Sequence, residues 1–87
     1  MGITKASVAT GEVAKLQTTS KTLTWDAMDD VDGYVVIPIG VGGWLVPIYM
    51  NGFTDKNSLS ITFLNLHQSA SSSGTANFAI FGYKKIK

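Results

Sequence analysis

The chain has 87 residues, no cysteine, 45% hydrophobic and 15% charged residues, and a net charge of +1. A chain of this length forms one small domain, and the absence of cysteine excludes disulfides and cysteine-based metal sites. All seven positive side chains are lysine, so the forked guanidinium that contacts phosphates and guanine is missing and we expect no nucleic-acid partner. No stretch approaches the roughly 20 apolar residues of a membrane span, and no signal-peptide core is present, so we expect no membrane partner and no signal-directed export.

Residues 1–20 are rich in small and polar residues, with a short apolar alternation around Val8, Val13 and Leu16. This pattern predicts an arm with one weak edge strand, followed by a β-sandwich domain over 21–87. From Lys21 to Asp26, threonines alternate with Leu23 and Trp25, as in a strand that covers a core on one face. Trp25 is therefore a predicted core anchor.

The next segment, Ala27 to Gly33, is a predicted turn that carries Asp29, Asp30 and Asp32, close to Asp26 at the end of the preceding strand. Clustered carboxylates are calcium ligands when carbonyl oxygens complete the shell. The full twelve-residue loop spacing and its terminal Glu are missing, and Asp also forms turns through its own side-chain hydrogen bonds. We favour the turn, with calcium binding as the open alternative and no cofactor expected.

Gly33 to Met50 reads GYVVIPIGVGGWLVPIYM and predicts a β-hairpin bent at Gly40–Gly43. With Gly42 and Gly43 as the turn, Pro38 lies opposite Pro47, and both prolines block pairing on the outer side, as expected near an edge or bend. Both alternating sets of both arms are apolar, whereas a strand with one wet face should alternate apolar with polar residues. This excess of apolar surface is the strongest indication of function in the chain.

Asn51 to Asn57 is rich in turn residues, and Ser58 to Leu66 alternates Leu59, Ile61 and Phe63 with polar side chains, which predicts a half-buried strand. His67 follows without a second histidine or a cysteine nearby, and the loop from Gln68 to Thr75 consists of small residues. Neither His67 nor the loop serines have a partner in the sequence that indicates catalysis or metal binding. We therefore expect a protein that is not an enzyme.

The final predicted strand, Ala76 to Lys84, again has two largely apolar faces. One face carries Phe78 and Ile80, and the other carries Phe81 and Tyr83. This strand and the predicted hairpin together predict a sheet that buries one face in the core and offers the other to a partner.

Four segments together resemble a fibronectin type III or related immunoglobulin-like sandwich over about residues 21–83: Leu23–Asp26, Asp32–Val36, Leu59–Leu66 and Phe78–Tyr83. The resemblance implies an all-β antiparallel sandwich in which Trp25 and Tyr34 share the core. Two features depart from the pattern: Phe78 stands where that family has a corner tyrosine, and the family's last strand has no counterpart after Tyr83. Either the N-terminal arm fills that edge, or another chain does, or the likeness is architectural only.

We expect a structural core formed by residues from all the predicted strands, Leu23, Trp25, Tyr34, Ile61, Phe63, Phe78 and Ile80. The expected interface lies on the hairpin and the last strand and consists of Val35, Ile37, Trp44, Val46, Ile48, Tyr49, Phe81 and Tyr83. The leading hypothesis is a non-enzymatic assembly protein whose partners are protein subunits, in a homo-oligomer or a larger shell. By analogy of fold and size it is a virion component, such as a phage capsid decoration or tail accessory protein.

The alternative is a carbohydrate-binding or adhesion module of an extracellular surface protein, in which Trp44, Tyr49 and Tyr83 stack on sugars. A further alternative is that the chain is a domain excised from a longer modular protein. The sequence does not determine which face of the hairpin docks, because both alternating sets of side chains are apolar.

Overall fold

The computed structural model describes residues 2–86, which form six β-strands and no helix. The strands are β1 (Gly2–Ala9), β2 (Thr18–Thr24), β3 (Gly33–Val41), β4 (Leu45–Asp55), β5 (Ser58–Asn65) and β6 (Thr75–Tyr83). They pair antiparallel in two three-stranded sheets with the orders β1–β6–β3 and β2–β5–β4. The two sheets pack face to face, with β1 over β2 and β3 over β4. The molecule is a small antiparallel β-sandwich.

The core lies between β5 and β6, the central strands of the two sheets. On β5, the period-two pattern turns Leu59, Ile61 and Phe63 inward, and on β6 Phe78 and Ile80 face them, all buried. Leu23 and Trp25 complete the cluster from β2 and the residue after it. Six of the seven expected core residues are thus buried, and the seventh, Tyr34, is half-buried and packs against them.

Trp25 and Tyr34 meet edge to face, with ring centroids 5.4 Å apart. The Tyr34 hydroxyl accepts a hydrogen bond of 2.7 Å from the backbone N–H of Met28, which closes the turn between β2 and β3. Phe53 of β4 packs on the same indole, also edge to face. The three rings therefore join β2, β3 and β4 at this end of the core.

The predicted hairpin from Gly33 to Met50 is wrong. β3 pairs with β6 and β4 pairs with β5, so these two arms lie in different sheets and are joined by a crossing of three residues, Gly42 to Trp44. Pro38 lies opposite Phe78 and Pro47 opposite Phe63, so the two prolines do not face each other. Both prolines are nevertheless on edge strands and next to β-bulges, where a missing N–H does not interrupt a continuous sheet.

The glycine-rich crossing packs closely against the loop before β6. Gly43 has a φ of +68°, and a Cβ there would lie 2.6 Å from the Ser72 hydroxyl and 2.7 Å from the Ser73 carbonyl oxygen. A Cβ on Gly74 would similarly meet the backbone of Gly42. The glycines are thus needed for a cross-sheet corner, and the same glycines in sequence equally satisfy a hairpin turn. Long-range packing decides between the two.

The tight hairpin of the molecule is β4–β5, with Lys56 and Asn57 as its turn. The segment from Asn51 to Asp55, predicted as a connection, continues β4 instead. β4 accommodates its turn-prone residues through three irregularities in its pairing with β5, and Gly52 takes a φ of +127° between two of them. Such bulges are common in edge strands, which they protect from pairing with other chains.

The edge of β6 that faces away from β3 is filled by the N-terminal strand. β1 pairs with β6 along its whole length, from Gly2 opposite Gly82 to Ala9 opposite Thr75. Of the three alternatives given above for this edge, the structure therefore shows the first, in which the N-terminal arm fills it. The inner side chains of β1, such as Ala6 and Val8, pack against the core. The division of the chain after residue 20 stays a prediction, although β2 begins at Thr18 and the arm's strand is an integral part of the first sheet.

Candidate docking surface

The outer face of the β1–β6–β3 sheet is largely apolar, and two cross-strand rows form its centre. Ile3, Phe81 and Val35 lie side by side in what we call the Phe81 row. Lys5, Ala79 and Ile37 form the neighbouring Ala79 row. Tyr83 extends this surface beyond the Phe81 row, and Ile39 extends it at the bulge of β3. We call the two rows together with Tyr83 and Ile39 the apolar face.

The large side chains of the apolar face are exposed although the sheet is otherwise well packed. Ile3 is 65% exposed, Val35 48%, Ile37 44% and Phe81 38%. Ala79, between them, is almost covered by its neighbours. Lys5 is the only charged residue in the two rows. A single exposed apolar residue needs no explanation, whereas a contiguous group of this kind makes the face a candidate interaction surface.

The outer face of the other sheet is hydroxylated. β2 presents Thr18, Ser20, Thr22 and Thr24, and these lie opposite Leu64, Thr62, Ser60 and Ser58 of β5. Hydroxyl pairs link the strands, Ser20 to Thr62 at 2.8 Å and Thr24 to Ser58 at 3.0 Å. Asn51 of β4 donates to Ser60 and Thr62. Along β2 and β5 this outer face is therefore polar, in contrast to the apolar face, and its exposed apolar residues, such as Tyr49, lie on the edge strand β4.

The expected interface residues divide between these surfaces. Val35, Ile37, Phe81 and Tyr83 share the apolar face. Val46 and Tyr49 pair with outward-facing residues of β5 and so belong to the other sheet, and Ile48 lies at a bulge of the edge strand β4. Trp44 stands in the crossing between the sheets. The structure brings half of the predicted set together, and the wrong hairpin accounts for the separation of the rest.

Sequence reasoning missed Ile3 and Ile39, and Ile3 is the more informative omission. The alternation of Ile3, Lys5 and Ser7 on one side with Thr4, Ala6 and Val8 on the other is a strand signal in the first ten residues. The signal is weak because the inward residues are small. Only the pairing with Phe81 shows that Ile3 extends an apolar surface.

The open side of the sandwich between β3 and β4 also exposes apolar residues. Met50 and Phe53 are paired with the inward-facing Ile61 and Leu59, yet both are largely exposed. They belong to the rim of the core, where no fourth strand covers them in either sheet. Their exposure follows from the narrow sheets.

The three rings proposed for sugar stacking do not share a surface. Trp44 lies at the end of the molecule where β6 begins and Tyr83 at the end where it finishes, about 27 Å along a strand of this length. Tyr49 is opposite Thr62 on the hydroxylated sheet. A stacking platform needs neighbouring rings on one surface, which this arrangement lacks.

The acidic turn is held by the segment after β6. Asp30 forms an exposed ion pair with Lys84 at 2.8 Å, and a carboxylate oxygen of Asp32 accepts a hydrogen bond from the Lys85 N–H at 2.6 Å. The Asp32 N–H donates to the Tyr83 carbonyl. Residues 2–86 contain no group of three or more His, Cys, Asp or Glu side chains placed to hold a metal ion. The Asp30 and Asp32 carboxylates thus bind the segment that follows β6.

Beside this turn, a cleft of about 280 Å³ opens between the ends of β3, β4 and β6. Its walls are mostly apolar and aromatic, and its rim is charged; the lining includes Met28, Val31, Tyr34, Phe53, Tyr83, Asp32, Asp55 and Lys56. Asp32 is already engaged by Lys85, and Asp55 accepts a hydrogen bond from the Lys56 N–H. The cleft is small for a drug-sized ligand, and its polar groups are largely used within the fold.

At the opposite end, His67 stabilises a turn. Its Nδ1 accepts hydrogen bonds from the N–H groups of Ser69 and Ala70, both at 3.1 Å, while the Ser69 hydroxyl lies 3.4 Å away. The imidazole stacks edge to face against Trp44 with centroids 5.1 Å apart. Because Nδ1 is occupied by backbone donors, it is not placed to take a proton from Ser69.

Comparison of the chain with protein-family models, with curated proteins and with solved structures finds no match in any of the three. Over residues 2–86 the chain has no helix that is long and apolar enough to cross a membrane. The class of protein is thus defined by the fold and surface alone: a small antiparallel β-sandwich with one largely apolar outer face and one that is hydroxylated along β2 and β5.

Proposed function

We propose that this protein is a non-enzymatic assembly protein that docks on other protein subunits through the apolar face. The observation that carries the proposal is the contrast between the two outer faces of one sandwich. Ile3, Phe81 and Val35 are exposed on one sheet, while β2 and β5 of the other sheet carry hydroxyls joined in pairs. A contrast of this kind favours a docking role for the apolar face.

The size of the apolar face fits this role. A large apolar side chain has about 200 Å² of surface, so the exposed parts of the large residues of the apolar face amount to roughly 600 Å². These residues are Ile3, Val35, Ile37, Ile39, Phe81 and Tyr83. This area is the upper end of the largest apolar patch on ordinary monomers, about 300–600 Å². Covering it releases on the order of 15 kcal/mol of gross hydrophobic free energy, comparable with the cost of association of about 4–15 kcal/mol.

We further propose a virion as the assembly, with this chain as a capsid decoration or tail accessory protein. The support is analogy: small β-sandwiches without catalytic groups serve as modules on larger particles. An immunoglobulin-like or fibronectin-like relationship is part of the same proposal. The contact between Trp25 and Tyr34 supports it, while Phe78 in place of a corner tyrosine and β1 in place of a last strand are departures.

Site-specific photocrosslinking tests the proposal in cells that naturally produce the protein. One variant carries p-benzoylphenylalanine in place of Ile37, on the apolar face, and the matched control carries it in place of Thr22, on the hydroxylated face. We expect the protein to cosediment with large particles on a density gradient and to crosslink from position 37, but not from position 22, to a structural subunit of those particles, either another protein or a second copy of this chain.

Two results would contradict the proposal. One is a protein that stays in the low-mass fractions and crosslinks from neither position. The other is binding on a glycan array that is lost with Trp44→Ala and retained with Ile37→Lys, which would favour the carbohydrate alternative.

A further inference from the structure

The central residues of the two rows, Phe81 and Ala79 on β6, project from the sheet by different amounts. Phe81 and Ala79 are successive outward residues of β6, the central strand, so a large ring stands next to a nearly flat position. On β3, Val35 lies beside Phe81 and Ile37 beside Ala79. A partner that fits this surface needs a low position over Phe81 and a tall one over Ala79.

We propose that the partner is a second copy of this chain, stacked face to face with its β6 antiparallel to the first. This inference rests on the docking role proposed for the apolar face and adds the identity of the partner and the register. The two-fold axis lies midway between the β1–β6–β3 sheets of the two copies and runs perpendicular to the strands, between the Phe81 row and the Ala79 row. It brings Phe81 of each copy over Ala79 of the other. The surface is then complementary to itself, as a two-fold interface requires.

The same axis accounts for the rest of the apolar face. Val35 of one copy lies over Ile37 of the other, and Ile3 lies over the aliphatic stem of Lys5, whose ammonium group reaches water because β1 is an edge strand. Tyr83 comes over Asn77, which already bonds Ser7 at 2.6 Å. The two Lys5 side chains are offset by two residues along the strand and by the sheet spacing, about 12 Å, which exceeds the screening length at physiological salt.

Charge and area both favour a second copy over an unrelated charged partner. The two rows contain one charged residue, Lys5, so the face has no pattern that would attract an acidic or basic surface. Two copies would cover about 1,200 Å² together, which reaches the lower end of specific protein interfaces. We therefore expect a dimer that dissociates on dilution.

Sedimentation velocity of the purified protein over a wide concentration range tests this inference. The protein should shift from monomer to dimer, and Phe81→Lys should weaken the dimer at least about tenfold. Thr22→Lys, which adds the same charge to the hydroxylated face, should leave the dimer unchanged. Circular dichroism confirms that each variant is folded, and Ile37→Lys replaces Phe81→Lys if the latter does not fold.

A charge pair then tests the register. Phe81→Lys and Ala79→Glu should each be monomeric alone, whereas their mixture should form a heterodimer, because Lys at position 81 of one copy meets Glu at position 79 of the other. Dimers that Phe81→Lys disrupts but that the mixture does not restore would overturn the antiparallel register. A wild-type protein that is monomeric at all concentrations would overturn the second-copy inference itself.

The two proposals fail in different ways. A monomeric protein that still crosslinks from position 37 to a particle subunit would contradict the second copy and leave the assembly function standing. A dimer with the predicted register that never associates with particles would contradict the assembly function and leave the dimer standing.

Discussion

Trp25 and Asn65 are both buried and both have polar side-chain atoms, but only those of Asn65 are hydrogen-bonded. Among the residues that the structure describes, the Trp25 Nε1 has no hydrogen-bond partner. The Asn65 amide donates to the carbonyls of Val13 at 2.9 Å and Ala70 at 3.1 Å, and its oxygen accepts from His67 N–H at 2.8 Å. Trp25 therefore contributes packing, whereas Asn65 contributes hydrogen bonds.

Replacement of Trp25 by alanine should lower the free energy of unfolding by about 3–5 kcal/mol, because it removes a ring that Tyr34 and Phe53 pack against. The other tryptophan is a matched control: Trp44 is 58% exposed, and Trp44→Ala should cost only about 1 kcal/mol or less. Urea unfolding followed by circular dichroism measures both. Equal losses from the two variants would contradict the assignment of Trp25 as the core anchor.

Asn65→Leu should cost about 2–4 kcal/mol, because it removes the side-chain partner of the Ala70 carbonyl and the His67 N–H at a buried position, and leaves the Val13 carbonyl with only its bond from the Ser72 N–H. Asn77 provides the control, since it is exposed and makes one side-chain bond, to Ser7; Asn77→Ala should change stability by less than about 1 kcal/mol. Chemical denaturation again gives the values. A stability of Asn65→Leu equal to wild type would show that these bonds contribute nothing net.

At the scale of elements, the crossing from β3 to β4 determines the topology. It carries the chain from one sheet to the other within three residues, Gly42 to Trp44, and it is bonded to neighbouring segments by Gly42 N–H to the Thr75 carbonyl and Trp44 N–H to the Ser72 hydroxyl. Thr10 ties a third segment to the same loop through Gly74. The crossing is thus built by contacts with residues far away in sequence.

Gly43→Ala should destabilise the protein by about 2 kcal/mol or more, since its φ of +68° is unfavourable for alanine and its Cβ would meet Ser72 and Ser73. Gly40→Ala, three residues earlier, should be neutral or slightly stabilising, because a Cβ there meets nothing within 4 Å and its φ is not positive. Thermal unfolding of the two variants side by side tests this difference. A harmless Gly43→Ala would argue against the close cross-sheet corner.

At the scale of the whole molecule, most strand pairs join distant parts of the chain. Ile3 pairs with Phe81 and Leu23 with Leu59, and among the paired strands of residues 2–86 only β4 and β5 follow each other through a tight turn. The sandwich is also elongated, 51 × 18 × 17 Å, so its ends depend on loops that bridge the sheets. During folding, long loops must therefore close, at a cost in chain entropy, before the strand contacts form.

We therefore expect slow folding, in the range of about milliseconds to seconds, as for other small β-sandwiches dominated by non-local pairing. Stopped-flow refolding monitored by tryptophan fluorescence measures the rate, and Trp44→Phe isolates the signal of the buried Trp25. Refolding within microseconds would contradict the pairing of β1 with β6, since local contacts alone would then suffice.

The sequence by itself determined the all-β class, the strands around Trp25, Ile61 and Phe78, and the excess of apolar residues on which the docking proposal is based. These features follow from period-two alternation and side-chain type, which are local properties of the chain. The tertiary structure alone decided that β3 and β4 lie in different sheets, that β1 fills the edge of β6, and that Ile3 joins Phe81 and Val35 on one face. Pairing partners are chosen by long-range packing, and a glycine turn between two apolar strands fits a hairpin and a cross-sheet corner equally well.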